Sequence, residues 1–220
     1  MKKQFLLFSS LYLLCVGFSY GQEAVATFVE YRIKDVGTIR IPVTMKLQGG
    51  VYKEISEALA KDLLTKKGYD VTGDEVIFQQ KGLNEAKGDY SYARVMIGTD
   101  HGSPGEYERI TAKLKATPEE LSFLNSTIKK GLIESFDGLG GKLIRWDGVS
   151  IVLVGGRTAL KTAYVRQIDT KPSVYVEMYQ FQNYDRIHRL TISYRQNDAT
   201  LWKADLEKTK NSFSITNVRP

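Results

Sequence analysis

The sequence predicts an α+β domain in which helices cover a twisted, mainly antiparallel sheet. Three observations predict this class. Between residues 142 and 196, short apolar runs alternate with turn residues, which is typical of neighbouring antiparallel strands. Segments before and after this region have apolar residues at helical spacing. Residues 174–181 are apolar on both faces, and such strands need a cover on each side.

The first half of the chain predicts short strands and one helix. Residues 52–68 place Ile55, Leu59 and Leu63 on one face, and Gly68 stands where a helix C-cap belongs. Residues 99–113 contain glycine and proline and predict an exposed loop. The predicted strands are 27–33, 36–42, 75–80 and 90–98.

A second helix is predicted from Thr117. The segment Thr117-Pro118-Glu119-Glu120 combines an N-cap hydroxyl, proline at the first helical position and glutamate at the third, which is a capping box. Gly138 and the glycines that follow it end the helix. Its apolar stripe contains Leu121, Leu124, Ile128, Leu132 and Phe136.

The region 142–196 predicts a five-stranded antiparallel meander. Asp147-Gly148 is a preferred pair for a two-residue hairpin, because both positions need a positive φ angle. Gly155-Gly156 predicts a second such turn one strand later. A third helix is predicted to begin near Asp198. The two faces of strand 172–182 then need helices on opposite sides.

Residues 1–21 predict a secretory signal peptide. Lys2 and Lys3 precede an apolar stretch from Phe5 to Phe18, which is short for a membrane span, and cleavage is expected before Gln22. An uncleaved N-terminal anchor is the alternative. The only cysteine, Cys15, lies in this segment, so residues 22–220 are expected to form one disulfide-free α+β domain. The protein is therefore expected to be exported, to the periplasm or beyond the cell.

The charge of the chain excludes some classes of partner. The net charge of +6 is spread over 220 residues without a dense basic run, so nucleic acid is not an expected partner. The segment 52–68 mixes lysines with acidic residues and does not resemble a cationic membrane anchor, so no stable membrane insertion is expected after cleavage. Metal-ligand spacing, phosphate loops and nucleophile motifs were not found, and no cofactor or metal is expected.

The C-terminal segment resembles the Mog1/PsbP-like superfamily. It reads ISYRQNDATLWKADLEKTKNSFSI (192–215), a strand, a short break, a helix with Trp202 and a short final strand. The early segment IRIPVTMKL (39–47) agrees with this layout. The resemblance implies an α-β-α sandwich. It also implies an accessory or binding role, because members include a photosystem subunit, a small-GTPase cofactor and bacterial envelope proteins.

One set of aromatic and charged residues is a candidate binding surface. If the strand registers agree, arginine and tyrosine side chains would meet on one region of the meander, and such surfaces suit carboxylate or phosphate recognition. The alternative is that Glu177 neutralises Arg166 or Arg189 across strands, as a structural pair. The candidate residues are Tyr164, Arg166, Glu177, Tyr179, Arg189 and Arg195.

Two functions remain open from the sequence. The first is a non-catalytic exported envelope protein, an accessory or binding module for a protein or a small polar partner. The second is a hydrolase that uses carboxylates such as Glu106, Glu108 or Glu177, which would need two carboxylates facing a cleft with one raised pKa. His188 alternates in register with Leu190 and Ile192, which predicts a partly buried histidine rather than a metal ligand.

Overall fold

A computed structural model describes residues 27–48, 75–83 and 91–219. The predicted signal peptide at 1–21 and the predicted helix at 52–68 lie outside the described residues.

A seven-stranded antiparallel sheet forms the centre of the described structure. Its strand order is β3-β4-β5-β9-β8-β7-β6, so the last four strands of the sheet follow one another as a meander. The strands are β3 (Met45–Leu47), β4 (Val76–Gln80), β5 (Ala93–His101), β6 (Gly141–Val154), β7 (Arg157–Ile168), β8 (Val174–Gln182) and β9 (Arg186–Arg195).

A smaller sheet and two helices pack on the central sheet. The helix α1 (Pro118–Asp137) packs on β6, while α2 (Ala199–Ser212) packs against β9 and the small sheet. The small sheet is three-stranded, with the order β1-β2-β10. Its strands are β1 (Phe28–Ile33), β2 (Gly37–Pro42) and β10 (Ser214–Ile215).

The first turn of α1 has the predicted capping box. The Thr117 hydroxyl accepts from the backbone N–H of Glu120 at 3.2 Å, and the Glu120 carboxylate accepts from the backbone N–H of Thr117 at 2.7 Å. These bonds satisfy two N–H groups that have no partner within the helix. Gly138 is the C-cap, as the sequence predicts.

The predicted hairpin at Asp147-Gly148 is wrong, and the meander has four strands rather than five. Residues 141–154 form one continuous strand, with register shifts around Arg145 and Gly148. The positive φ of Gly148, 101°, is used in a β-bulge instead of a turn. The side-chain oxygen of Asn125 on α1 accepts from Trp146 Nε1 at 2.9 Å and from the Val149 backbone N–H at 3.3 Å. This contact from the helix fixes the bulge.

The turn at Gly155-Gly156 forms as predicted. Both glycines have positive φ, 56° and 77°, and they join β6 to β7. Gly155 also leaves no room for a side chain, because an added Cβ would lie 2.2 Å from the Phe213 carbonyl oxygen.

Both faces of the central sheet carry buried apolar clusters, as the sequence predicts for β8. One face joins α2 and the small sheet in a continuous core that includes Ile39, Tyr179 and Leu206. The opposite face carries a small cluster of Phe136, Tyr164 and Val176 under the C-terminal half of α1. The predicted α+β class, with a mainly antiparallel sheet covered by helices, is confirmed.

A buried polar network joins β5 and β9 to the C-terminal segment. His188 is fully buried, with Nδ1 2.9 Å from Thr99 Oγ1 and Nε2 3.1 Å from Asn183 Nδ2. Since an amide nitrogen only donates, Nε2 is the acceptor and Nδ1 carries the proton. Asn183 also donates to the Asn217 carbonyl and accepts from the Arg219 backbone N–H. Burial, with the charge of Arg186 nearby, lowers the pKa of His188 to about 4.

Candidate functional site

A cavity of about 320 Å³ opens between the central sheet and α2. Its floor comes from β8 and β9, and its wall from residues 199–207 of α2. The lining combines aromatic rings, charged groups and aliphatic side chains, which is typical of sites that bind small polar molecules. The lining residues are Arg145, Tyr175, Glu177, Ile192, Tyr194, Gln196, Ala199, Lys203, Leu206 and Glu207. We call this cavity the Glu177 pocket.

Glu177 lies at the base of the pocket and accepts hydrogen bonds from three side chains. Lys161 Nζ lies 2.5 Å from Oε1, and the Tyr175 hydroxyl donates to the same oxygen at 2.9 Å. The Tyr179 hydroxyl donates to Oε2 at 2.7 Å. Lys161 and Lys210 also lie close to the Tyr179 ring, 5.9 and 5.8 Å from its centroid. The carboxylate is therefore held in one orientation by neighbouring strands.

The electrostatics of this network keep Glu177 ionised and both tyrosines protonated. Burial alone would raise the pKa of the Glu177 carboxyl, but the hydrogen bonds from Lys161, Tyr179 and Tyr175 outweigh it and hold that pKa below its usual value. Burial, together with the adjacent carboxylate, raises the pKa of Tyr175 and of Tyr179 well above the ordinary tyrosine value. Each tyrosine hydroxyl therefore keeps its proton and donates to Glu177.

Two cationic side chains that line the pocket, Arg145 and Lys203, differ in whether an acidic side chain of the protein already binds them. Arg145 is engaged by Asp147, with Nε 2.6 Å from Oδ1 and Nη2 3.0 Å from Oδ2. Lys203 lines the pocket from the exposed side of α2 and has no ion-pair partner among the described residues. Glu207, on the next turn, is bound by Lys210. Lys203 is therefore the charged group of the pocket that is placed to contact a ligand anion.

This arrangement suits binding better than acid–base chemistry. A carboxyl that acts as a general acid near neutral pH needs a raised pKa, whereas that of Glu177 is lowered. Its lone pairs are occupied by three donors. The other two carboxylates considered for hydrolysis, Glu106 and Glu108, lie in the loop after β5 and do not line this pocket.

The strand registers place the six candidate residues of the sequence on two faces of the sheet. Glu177 and Tyr179 face α2. Tyr164 packs under α1 beside Val176, its partner across β7 and β8. In the strand registers, each of the three arginines stands opposite a residue of the α1 face, and opposed residues share a face. One surface therefore does not hold all six candidates. The opposed pairs are Arg166 with Val174, Arg195 with Val174 and Arg189 with Gln180.

Glu177 pairs with neither Arg166 nor Arg189. Its counter-charge is Lys161, which lies diagonally across the β7–β8 ladder. Arg189 instead pairs with Asp100 at 2.9 Å, and Arg195 Nε lies 3.8 Å from Asp198. The binding role expected of the six residues stays a prediction, and Glu177 is the member that lines the pocket.

Lys161, Tyr175 and Lys203 were missed from the sequence. Tyr175 could have been found, because Tyr175, Glu177 and Tyr179 alternate on one face of a single strand. Lys161 reaches Glu177 only through the register of β7 against β8, and Lys203 only through the packing of α2. Neither of these is a local property of the sequence.

Two further findings concern metals and membranes. No group of three or more histidine, cysteine or acidic side chains is placed to hold a metal ion among the described residues. Of the helices described, none has both the length and the apolar character that crossing a membrane requires.

Comparisons with known proteins identify the fold. No protein-family model matches the chain, and no curated protein matches its sequence. The solution structure of cyanobacterial PsbP (CyanoP) from Synechocystis sp. PCC 6803 matches with a TM-score of 0.50 at 12% identity, over 90% of this chain and 97% of that one. A protein of unknown function, PA94 from Pseudomonas aeruginosa, matches with a TM-score of 0.40 at 13% identity, over 89% and 99% of the two chains. The first match shows that this chain has a PsbP-like fold, as its C-terminal segment predicts.

Proposed function

We propose that this protein is an exported, non-catalytic binding module that takes a small polar molecule with an anionic group in the Glu177 pocket. The observation that carries the proposal is the pocket itself, a cavity of about 320 Å³ that the core does not fill. The PsbP-like fold supports a non-catalytic accessory role.

The roles of the pocket residues follow from their contacts. Lys203 offers an ammonium group to the ligand anion, while the rings of Tyr175 and Tyr194 contact its uncharged part. The Glu177 network is a rigid base, because its donors and acceptors are already satisfied within the fold. A rigid, prepared site reduces the ordering cost of binding.

Thermal unfolding of the full chain tests the binding proposal. Acetate, succinate, glutamate and phenylalanine serve as probes, because they share a carboxylate and differ in size and apolar content. At least one probe at about 100 times its dissociation constant should stabilise the protein by about 2.7 kcal/mol. For a chain of this size that corresponds to a rise in melting temperature of about 5–10 °C.

Two substitutions in α2 make the test specific. Ala199→Leu adds bulk to the pocket lining and should abolish the shift, while Thr200→Leu, on the exposed neighbouring position, should retain it. The proposal fails if no probe stabilises the wild type, or if Ala199→Leu responds as the wild type does.

The hydrolase alternative has its own test. Chromogenic esters and glycosides should show no turnover above background with the wild type. Turnover that is lost in Glu177→Gln would contradict the non-catalytic role, because it would give the buried carboxylate a chemical task.

Export is tested by the mass of the protein recovered from its native cells. A chain that begins at Gln22 is expected. Recovery of a chain that retains residues 1–21 would contradict cleavage of the predicted signal peptide.

A further inference from the structure

We propose that two copies of this protein pair through the second half of β6, edge to edge and antiparallel, to form a dimer with a continuous sheet. β6 is the terminal strand of the central sheet, and β7 is its only partner strand among the described residues. An open strand edge presents unpaired N–H and C=O groups, and these pair readily with another strand.

The two halves of β6 differ in how they protect that edge. The first half contains Lys142, Arg145 and Asp147 together with the bulge at Gly148. Charges and bulges are the usual devices that prevent strand addition. The second half reads VSIVLV (149–154), without a charge, a proline or a register shift. Strand addition is therefore directed to this half.

The turn that follows β6 fixes which backbone groups face outward. Val154 and Arg157 flank a two-residue turn and so form a hydrogen-bonded pair, after which bonded and non-bonded pairs alternate along the ladder. Leu153, Ile151 and Val149 belong to the non-bonded pairs, so their N–H and C=O groups point away from β7. The bond from the Val149 N–H to Asn125 agrees with this assignment. Ile151 and Leu153 keep outward groups to which the structure gives no partner among the described residues.

Only one register between two copies of β6 pairs the outward backbone groups of both Ile151 and Leu153 without involving Val149. In antiparallel strands, opposed residues face the same side of the sheet, so a twofold axis must pass through a residue. An axis at Val152 opposes Ile151 of each copy to Leu153 of the other, which gives hydrogen-bonded pairs on both sides of the axis. An axis at Ile151 would instead oppose Leu153 to Val149, whose N–H is already bound by Asn125. The register centred on Val152 is therefore preferred.

The side chains favour the same register. Leu153 is 70% exposed on the α1 face of the sheet, and Ile151 lies on that face in the wall of an apolar groove. Pairing brings these two side chains together as cross-strand neighbours and removes both from water. Nothing charged in residues 149–154 opposes the approach. A twofold contact of this kind closes on itself, so it produces a dimer and no larger species.

Sedimentation velocity of the full chain at several concentrations tests the proposal. The wild type should convert from monomer to dimer as its concentration rises between about 10 µM and 1 mM. Leu153→Lys should weaken association by at least about tenfold, because it places a charge opposite Ile151 of the other copy. Leu201→Lys changes a similarly exposed leucine on α2 and should leave association unchanged. A wild type that stays monomeric, species larger than a dimer, or an equal effect of both substitutions would overturn the proposal.

Amide exchange measured by NMR separates strand pairing from other contacts. The Ile151 and Leu153 amides should exchange rapidly in dilute protein and become protected as the dimer forms. Protection that is the same at all concentrations would mean that the chain covers its own edge, and would overturn the proposal. Dimerisation without protection of these two amides would do the same.

Discussion

The two faces of the seven-stranded sheet differ in how they are filled. On the α2 face, a continuous apolar core runs from the small sheet to Leu206 and borders the Glu177 network. On the α1 face, the described residues form a small cluster around Tyr164 and Val176. Next to it lies an apolar groove of about 570 Å³, which we call the α1 groove; its lining includes Phe123, Leu124, Ile151 and Leu160. We therefore expect the α2 face to provide most of the stability, and this face also shapes the polar pocket. The α1 face leaves apolar side chains such as Phe123 exposed.

The two faces should differ most in how much the free energy of unfolding falls when one apolar side chain is shortened on each helix. Leu206→Ala should lower the free energy of unfolding by about 2–5 kcal/mol, because it leaves a cavity in a closely packed core. Phe123→Ala should change it by no more than about 0.5 kcal/mol, since that ring is 69% exposed. Urea unfolding of both variants measures the contrast. Equal losses would show that the α1 face is as important for stability as the α2 face.

A second contrast concerns acid stability on the α2 face. The unfolded chain binds a proton at histidine as the pH falls through 6.5, whereas folded His188 does so only near pH 4. Folding stability therefore decreases across this window as the pH is lowered. The contribution of His188 is about 3 kcal/mol by the linkage relation.

Urea unfolding at a series of pH values between 4 and 7 measures this dependence. His188→Gln should flatten the curve over that range even if the variant is less stable overall. His101→Gln, which alters the exposed histidine at the end of β5, should keep most of the wild-type slope, because burial is the largest cause of the lowered pKa of His188. If the stability of His188→Gln depended on pH as strongly as that of the wild type, the effect could not be assigned to His188.

The smallest of the three expected contrasts in the free energy of unfolding comes from the charged pair of Glu177 and Lys161 at the base of the pocket. Glu177→Gln leaves Lys161 without its counter-charge in a half-buried site and should cost about 1–3 kcal/mol. The double variant Glu177→Gln with Lys161→Met should recover most of this loss, because the unpaired charge is also removed. Chemical unfolding of the single and double variants measures the coupling. Independent, additive losses would show that the two groups do not act as a pair.

Local signals in the sequence were sufficient for several elements. The capping box at Thr117 and the turn at Gly155-Gly156 depend on residues within a few positions of each other, and both occur where the sequence predicts them. The alternation along β8 also identified its two apolar faces. These features need no knowledge of distant contacts.

The incorrect hairpin at Asp147-Gly148 shows the limit of local signals. The pair fits a tight turn, but Asn125 on α1 binds both Trp146 and the Val149 backbone and keeps the strand continuous. The prediction of the candidate binding surface had the same limit. The sequence groups Arg166 and Arg189 with Glu177 only if the strand registers agree, and the ladder registers turn both arginines to the opposite face. Long-range pairing decides both features, and a single sequence does not encode it in any short pattern.

The most direct test of the account is an NMR titration of the full chain with acetate, succinate, glutamate and phenylalanine. The account predicts that at least one probe shifts amide signals around the Glu177 pocket, at Tyr175, Tyr194, Gln196 and Lys203, and leaves the α1 groove unchanged at Phe123 and Leu160. Shifts confined to the α1 groove, or no saturable shifts with any probe, would contradict the claim that the α2 face carries the binding site.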